Sequence, residues 1–325
     1  MQIISAEQIA HQLPWDALID KIEHSFRHND VVSPPRHHHT LPGSKDDATL
    51  LLMPAWQNQK YIGVKLINVF PNNSDNELPA ISGAYLLSDG QTGLPLACID
   101  GAELTRRRTA AASALAARYL VCDDADTLLV VGTGRLAPML IEAHSAIRPI
   151  RRVRIWGRNH EKARELAKQY QGYQGGCEPF SSVEAVMDLA AACTDADIIS
   201  CATLSTEPLI KGEWLSPGCH LDLVGAFRPD MRETDAACVE KARVFVDTYA
   251  GAADEAGDLH HAINEGQFTM LDICADLYQL TGEQHPGRES AQDITLFKSV
   301  GASLEDLAAA ICLWEVAAEP SKIER

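Results

Sequence analysis

Residues 127–159 constrain this chain's fold more than any other stretch. Thr127-Leu128-Leu129-Val130-Val131 reads as a buried strand, and Gly132-Thr133-Gly134-Arg135-Leu136-Ala137 fits the pattern G-x-G-x-x-A. Leu136, Met139, Leu140, Ile141, Ala143 and Ile147 then recur at helical spacing, and Arg152 to Trp156 reads as a second strand. Strand, glycine turn, helix and strand within about 30 residues is the setting a dinucleotide-binding turn requires. Gly132 permits the tight turn, Gly134 lets a pyrophosphate approach the backbone, and Ala137 keeps the helix close to the strand. The helix start offers N–H groups and a positive dipole end to the phosphates, so Thr133, Arg135 and Leu136 are expected beside them. An ordinary strand-turn-helix connection without a ligand is the weaker reading.

The end of the second strand bears on which dinucleotide binds. A carboxylate there would accept hydrogen bonds from the ribose hydroxyls of NAD, whereas an arginine accommodates the 2′-phosphate of NADP. The strand ends Ile155-Trp156-Gly157-Arg158-Asn159, with no carboxylate before Glu161. Arg158 is placed to grip a phosphate with two parallel N–H donors, and Asn159 sits beside it. NADPH is the expected cofactor, NADH the alternative, and a plain surface arginine the competing reading.

Further buried strands are expected at Asp197–Thr203, Cys219–Val224 and Arg243–Thr248, separated by helical segments. That alternation predicts a doubly wound parallel sheet of the Rossmann type, with ligand at the carboxyl ends of its strands. Thr203, Val224, Gly225, Ala226, Phe227 and Asp247 are therefore expected to line the cofactor crevice. This domain is expected over residues 123–293, and an α+β domain over 1–122 with 294–325.

The first 30 residues read as short helices, with Ser5 as a cap and Trp15, Leu18, Ile19, Ile22 and Phe26 at helical spacing. Arg36-His37-His38-His39 follows. Adjacent histidines in an extended segment point opposite ways and have no partner at ligand spacing, so a strand edge or loop is expected and no metal. From Thr49 to Leu96, short apolar runs end at Pro54, Pro71, Asp89-Gly90 and Asp100-Gly101, the mark of an antiparallel or mixed sheet. Lys65 lies inside one such run; it either snorkels or sits near an anion in a pocket. Ala102–Leu120 reads as a helix carrying Arg106-Arg107-Arg108-Thr109, either a solvated basic face or an anion site. The tail returns to helix, with Ser303 as a cap.

A net charge of −17 argues against nucleic acid or an anionic membrane as partner. Nine cysteines with no C-x-x-C pair suit a reducing cytoplasm. The N-terminus lacks a basic segment followed by an apolar one, so no signal peptide is expected.

Taken together, these segments resemble the ornithine cyclodeaminase/μ-crystallin family over nearly the whole chain. The resemblance is carried by Leu52-Met53-Pro54-Ala55, Gly63-Val64-Lys65, the run Leu104 to Ser113, the Gly132 turn, Val224-Gly225-Ala226, Glu255-Ala256-Gly257-Asp258, and Phe297-Lys298-Ser299-Val300-Gly301 with Glu305-Asp306. It implies a homodimer whose N-terminal domain carries both the substrate site and the dimer contact, and chemistry through an imine with NAD(P). On the matching positions, Lys65 and Arg108 would hold a substrate carboxylate, with Arg36 a further candidate. Met53, Ser82, Phe227 and Gly301 would border the substrate, and Thr109 and Ser299 the cofactor.

Members similar to ornithine cyclodeaminase carry a glutamate in the strand before Met-Pro and an aspartate soon after the glycine of the fourth strand. This chain has Leu51 and Phe227 there. Apolar groups at both places favour a substrate with no second ammonium and no hydrolytic step. Reduction of a small cyclic imino acid fits: Δ1-pyrroline-2-carboxylate to proline, or Δ1-piperideine-2-carboxylate to pipecolate. The proton for the imine nitrogen has two candidate sources, Lys65 or an imine that arrives protonated. Ornithine or alanine deamination, and a non-catalytic NADP-binding role, are the competing readings.

Overall fold

The computed structural model describes residues 1–43, 47–76 and 78–318. The chain divides into two compact units, Met1–Arg108 with Ala302–Arg325, and Thr109–Gly301.

In the first unit, β1 (Gln2–Ile4) leads into α1 (Ala6–Gln12) and α2 (Trp15–His28). Ser5 caps α1 as expected: its hydroxyl accepts from the Gln8 N–H at 3.3 Å while the Gln8 side chain accepts from the Ser5 N–H at 2.9 Å. Then follow β2 (Val31–Val32), β3 (His37–Leu41), β4 (Ala48–Gln57), β5 (Tyr61–Val69), β6 (Ile81–Asp89) and β7 (Pro95–Asp100). They form one sheet in the order β1-β7-β6-β5-β4-β2, with β3 also paired to β4. The triple histidine is an exposed strand at the sheet's margin. The long strand β4 does not stop at Pro54. Beside it, β3 pairs with residues up to Leu52 and β2 begins at Trp56, so no strand on that side needs an amide from Pro54.

Side chains alternate across this sheet. Met53, Ala55, Gly63, Lys65, Tyr85 and Leu87 are buried on one face. The last helix, α11 (Ser303–Ala318), packs on β4, β5, β6 and α2. Leu304, Leu307, Ala308 and Ile311 of α11 are buried, and so, exceptionally, are Glu305 and Asp306 in its first turn.

The boundary between units falls within α3 (Gly101–Leu120). The second unit holds eight parallel strands: β8 (Thr127–Val131), β9 (Arg152–Trp156), β10 (Ser182–Ala185), β11 (Ile198–Cys201), β12 (His220–Leu223), β13 (Arg243–Val246), β14 (Ile273–Asp276) and β15 (Thr295–Lys298). Their order is β10-β9-β8-β11-β12-β15-β13-β14. The chain runs outward from β8 through β9 to β10, then returns to β11 on the other side of β8, which makes the topological switch point. Between the strands lie α4 (Ala137–Ser145), α5 (His160–Gln169), α6 (Leu189–Thr194), α7 (Ala236–Lys241), α8 (Tyr249–Glu255), α9 (Gly257–Asn264) and α10 (Leu277–Thr281). Leu128 and Val130 join one apolar cluster with Ile141 and Val153, while Leu129 and Val131 join another with Ile199 and Leu221. A sheet buried on both faces needs that unbroken apolar run.

β10 and β14 have no counterpart in the sequence reading, and neither do β1 and β2. The tail differs too. Residues from 294 read as a return to helix in the other domain, yet Thr295–Lys298 form β15 between β12 and β13, and the second unit extends to Gly301. A four-residue buried run has no period that separates strand from helix. Among the described residues no helix is long and apolar enough to cross a membrane.

Candidate functional site

At the switch point, the turn after β8 and the ends of β9 and β11 enclose a cavity of about 300 Å³. Gly132, Thr133, Gly134, Arg158, Asn159 and Thr203 line it, along with Lys162 of α5. Gly132 has φ of +127°, and a Cβ there would lie 2.7 Å from the Ala202 carbonyl oxygen, so the turn requires glycine. A Cβ on Gly134 would meet nothing within 4 Å, which leaves open space over the backbone where a pyrophosphate would approach. Ala137 is fully buried under the helix start. Leu136 is the residue before α4, and Arg135 is exposed on the turn. No acidic residue lines the cavity, and Arg158 and Lys162 put two cations at the end of β9. Asn159 is also structural, since its side chain caps α5 by accepting from the Glu161 and Lys162 N–H groups.

The ends of β11 and β12 are tied by a residue that the sequence reading did not single out. Glu233, fully buried, accepts from the Thr203 N–H and hydroxyl through one oxygen and from the Gly225 N–H through the other, each at 2.7 Å. Val224 and Ala226 flank Gly225 and are buried. Phe227, next along, is 41% exposed. Asp247, also buried, accepts from the Val300 N–H at 2.8 Å and the Gly301 N–H at 2.6 Å, and so fixes the segment after β15, where Gly301 takes φ of +89°. In that segment Ser299 is buried and its hydroxyl has no hydrogen-bond partner among the described residues, a polar atom suited to a bound ligand. Thr109 is half-buried in α3. Open turn, unpartnered hydroxyl and cationic margin together fit a nicotinamide dinucleotide.

The first unit contains a buried ionic cluster. Lys65, 1% exposed, places Nζ 2.6 Å from Asp306 Oδ2. Arg108 donates from Nε to Asp306 Oδ1 at 3.0 Å and from a terminal nitrogen to Glu305 Oε2 at 2.7 Å. Ionised side chains this deeply buried persist only when paired. Burial lowers the pKa of the Lys65 ammonium to about 8; Asp306 opposes the shift, while Arg108 and the half-buried Arg36 add to it. Met53 and Tyr85 are the cross-strand neighbours of Lys65 on either side. The Tyr85 hydroxyl is buried with no hydrogen-bond partner among the described residues and lies where a Cβ on Gly63 would be, so glycine in Gly63-Val64-Lys65 makes room for it. Ser82 is exposed on β6, opposite Asn68.

Of the arginine run, only Arg108 joins this cluster. Arg106 and Arg107 pair with Glu103, and Arg107 also donates to the carbonyls of Ala10 and Leu13 and stacks over Trp15, so these two brace helices. One helix turn cannot aim three successive side chains at one point. Among the described residues no group of three His, Cys, Asp or Glu could hold a metal ion.

The sequence profile of the ornithine cyclodeaminase/mu-crystallin family matches residues 1–321. The chain is 37% identical to a Delta(1)-pyrroline-2-carboxylate reductase of Colwellia psychrerythraea, over 95% of this chain and 97% of that protein. Among solved structures, it is similar to the Thermococcus litoralis Delta(1)-pyrroline-2-carboxylate reductase in complex with NADH and L-proline, with a TM-score of 0.89, 29% identity, and coverage of 99% of this chain and 98% of that one. It is also similar to an archaeal alanine dehydrogenase dimer with bound NAD, with a TM-score of 0.87, 26% identity, and coverage of 99% and 97%.

Proposed function

Because the chain belongs to the ornithine cyclodeaminase/mu-crystallin family, we propose that it reduces small cyclic imino acids with a nicotinamide dinucleotide. Δ1-Pyrroline-2-carboxylate would give proline and Δ1-piperideine-2-carboxylate pipecolate. The observation that carries this reading is the buried Lys65–Asp306–Arg108 cluster, with apolar Leu51 and Phe227 in place of the two carboxylates a deaminating member would use. The relatives named as pyrroline-2-carboxylate reductases support it.

Arg108 would take the substrate carboxylate with its planar guanidinium, whose fork of N–H donors matches a carboxylate's two oxygens. Arg36 adds positive charge near Lys65 and so favours an incoming anion. Lys65 is ion-paired to Asp306, and its ammonium, which carries three N–H donors, can also turn a donor toward substrate. Its lowered pKa suits it to donate to the imine nitrogen near neutral pH, and to regain that proton from solvent afterwards. The nicotinamide, when bound and reduced, supplies the hydride that the C=N carbon accepts, so one bond to hydrogen forms at carbon and one at nitrogen. Phe227 neither accepts a proton nor pairs an ammonium, so this side chain cannot activate water.

Steady-state oxidation of NADH and NADPH with both cyclic imines tests this reading. Turnover of at least one imine is expected; ammonia release from ornithine or alanine without imine reduction would overturn it.

The cofactor is proposed to be NADPH in preference to NADH, on the support of Arg158, Lys162 and a cavity free of acidic groups. Arg158→Ala is expected to raise KM for NADPH about tenfold, the worth of a lost charge-assisted hydrogen bond, and KM for NADH under about twofold. Equal losses would remove Arg158 from the 2′-phosphate.

A homodimer is proposed through the first unit's sheet. On the face away from Lys65, Ile62, Leu66 and Leu86 are 40%, 38% and 40% exposed, with Val64 and Pro54 beside them. A contiguous apolar sheet face of that kind marks a contact surface. Leu66→Glu is expected to shift the protein from dimer to monomer in light scattering, while an unchanged dimer mass would place the contact elsewhere.

A further inference from the structure

Within the second unit, the buried Glu233 carboxylate accepts hydrogen bonds from residues at the ends of two neighbouring strands. We propose that Glu233 is a positioning residue for dinucleotide binding, acting by tying the backbone at the end of β11 to the backbone at the end of β12. The inference rests on the dinucleotide reading above and extends it to a residue that touches no ligand in that reading.

The geometry is specific. The Thr203 N–H and hydroxyl both donate to Glu233 Oε1, and the Gly225 N–H donates to Oε2, all at 2.7 Å. Thr203 lines the crevice. The two backbones lie so close that a Cβ on Gly225 would sit 2.0 Å from the Thr203 carbonyl oxygen, so only glycine there permits the approach that Glu233 secures. Glu233 is itself held from behind: its N–H donates to Asp258 Oδ1 at 2.7 Å, and Asp258 Oδ2 faces Lys298 Nζ at 3.6 Å. Lys298 is further fixed by donating to the Leu223 carbonyl at 3.1 Å, at the end of β12. Two strand ends thus converge on one fully buried carboxylate, whose own backbone N–H is held by Asp258.

No neutral isostere reproduces this. A glutamine offers one acceptor oxygen and one NH₂ donor group, so its NH₂ must face either Thr203 or Gly225, both donors. One wall would come loose while the side chain stayed the same size. The charge state of the tie also matters. Burial and the neighbouring Asp258 carboxylate push the Glu233 carboxyl up to about 7. The ionisable groups facing it are Asp258 on α9, Lys298 on β15 and the Cys201 thiol on β11. Protonation would convert one acceptor oxygen to a donor and loosen one wall, so affinity is expected to fall as pH drops through that range.

The test is NADH binding to the full-length protein, followed by fluorescence titration, in wild type and Glu233→Gln. The variant is expected to bind roughly tenfold more weakly, the equivalent of one lost charge-assisted hydrogen bond. Its kcat at saturating NADH should stay within about twofold, a split that general loss of structure would not give. The wild-type fall in affinity below pH 7 should be absent in the variant. A folded variant with unchanged NADH affinity would overturn the proposal. Should the variant not fold, hydrogen exchange of the ligand-free wild type decides: Thr203 and Gly225 amides protected support the tie, and exchange at open-loop rates refutes it. Dinucleotide binding by the wild type without turnover of either imine, with NADH or with NADPH, would instead overturn the reductase reading and leave this inference standing.

Discussion

Lys65→Met is expected to lower kcat/KM for a cyclic imino acid by about a thousandfold, within the range that loss of a positioned general acid and a buried cation produces. Methionine keeps the length and apolar stem of lysine but has no proton to give. NADH affinity should change by less than about twofold, since the residue belongs to the first unit and the dinucleotide crevice to the second. The pH profile carries the mechanism. The pKa of the Lys65 ammonium is lowered to about 8, so imine reduction, which needs the protonated form, should fall as pH rises through 8. Oxidation of proline, which needs the free amine as base, should rise through the same range. Methionine at this position should flatten both limbs near 8. A variant that keeps its activity and its pH limbs would show that the imine arrives already protonated.

Arg108→Ala should cost both binding and stability. The guanidinium holds Asp306 and Glu305 at once, and both carboxylates are fully buried. Removing it takes from each of the two buried carboxylates a cation at hydrogen-bond distance, which is expected to lower folding stability by about 3 kcal/mol, as removal of one partner from a buried ion pair does. KM for the imino acid should rise about a hundredfold because the carboxylate loses a bidentate partner. Arg108→Lys should recover little of either, since an ammonium cannot bridge two carboxylates and still present a fork to substrate. Urea denaturation separates the two effects: unchanged KM in a folded Arg108→Ala protein would exclude the arginine from the substrate.

Much of this arrangement was legible in the chain because the signals were local. β8, the glycine turn and β9 lie where the strand and turn patterns put them, since a buried parallel strand is a continuous apolar run and the turn needs Gly132. Lys65 stood out because a lysine in an apolar strand demands a partner. That partner, Asp306, was visible only as part of a matching motif, because 241 residues separate the two and no spacing rule joins β5 to the start of α11. Arg106 and Arg107 looked equivalent to Arg108; what they do is set by Glu103 on the same helix and by the helices against which it packs. Glu233 gave no sign at all. It lies in a loop among charged residues, and only the folded backbone brings Thr203 and Gly225 to its two oxygens. Likewise β15 is too short for its periodicity to tell strand from helix, and only its pairing with β12 and β13 reveals it.

A crystal structure of the protein with reduced dinucleotide and the saturated product, proline or pipecolate, tests the whole account at its centre. The ring acid's carboxylate should lie within about 3 Å of an Arg108 nitrogen, with Lys65 Nζ at hydrogen-bond distance from the ring nitrogen or the same carboxylate. A carboxylate bound away from both residues, with Lys65 and Arg108 still engaged only with Asp306 and Glu305, would contradict it.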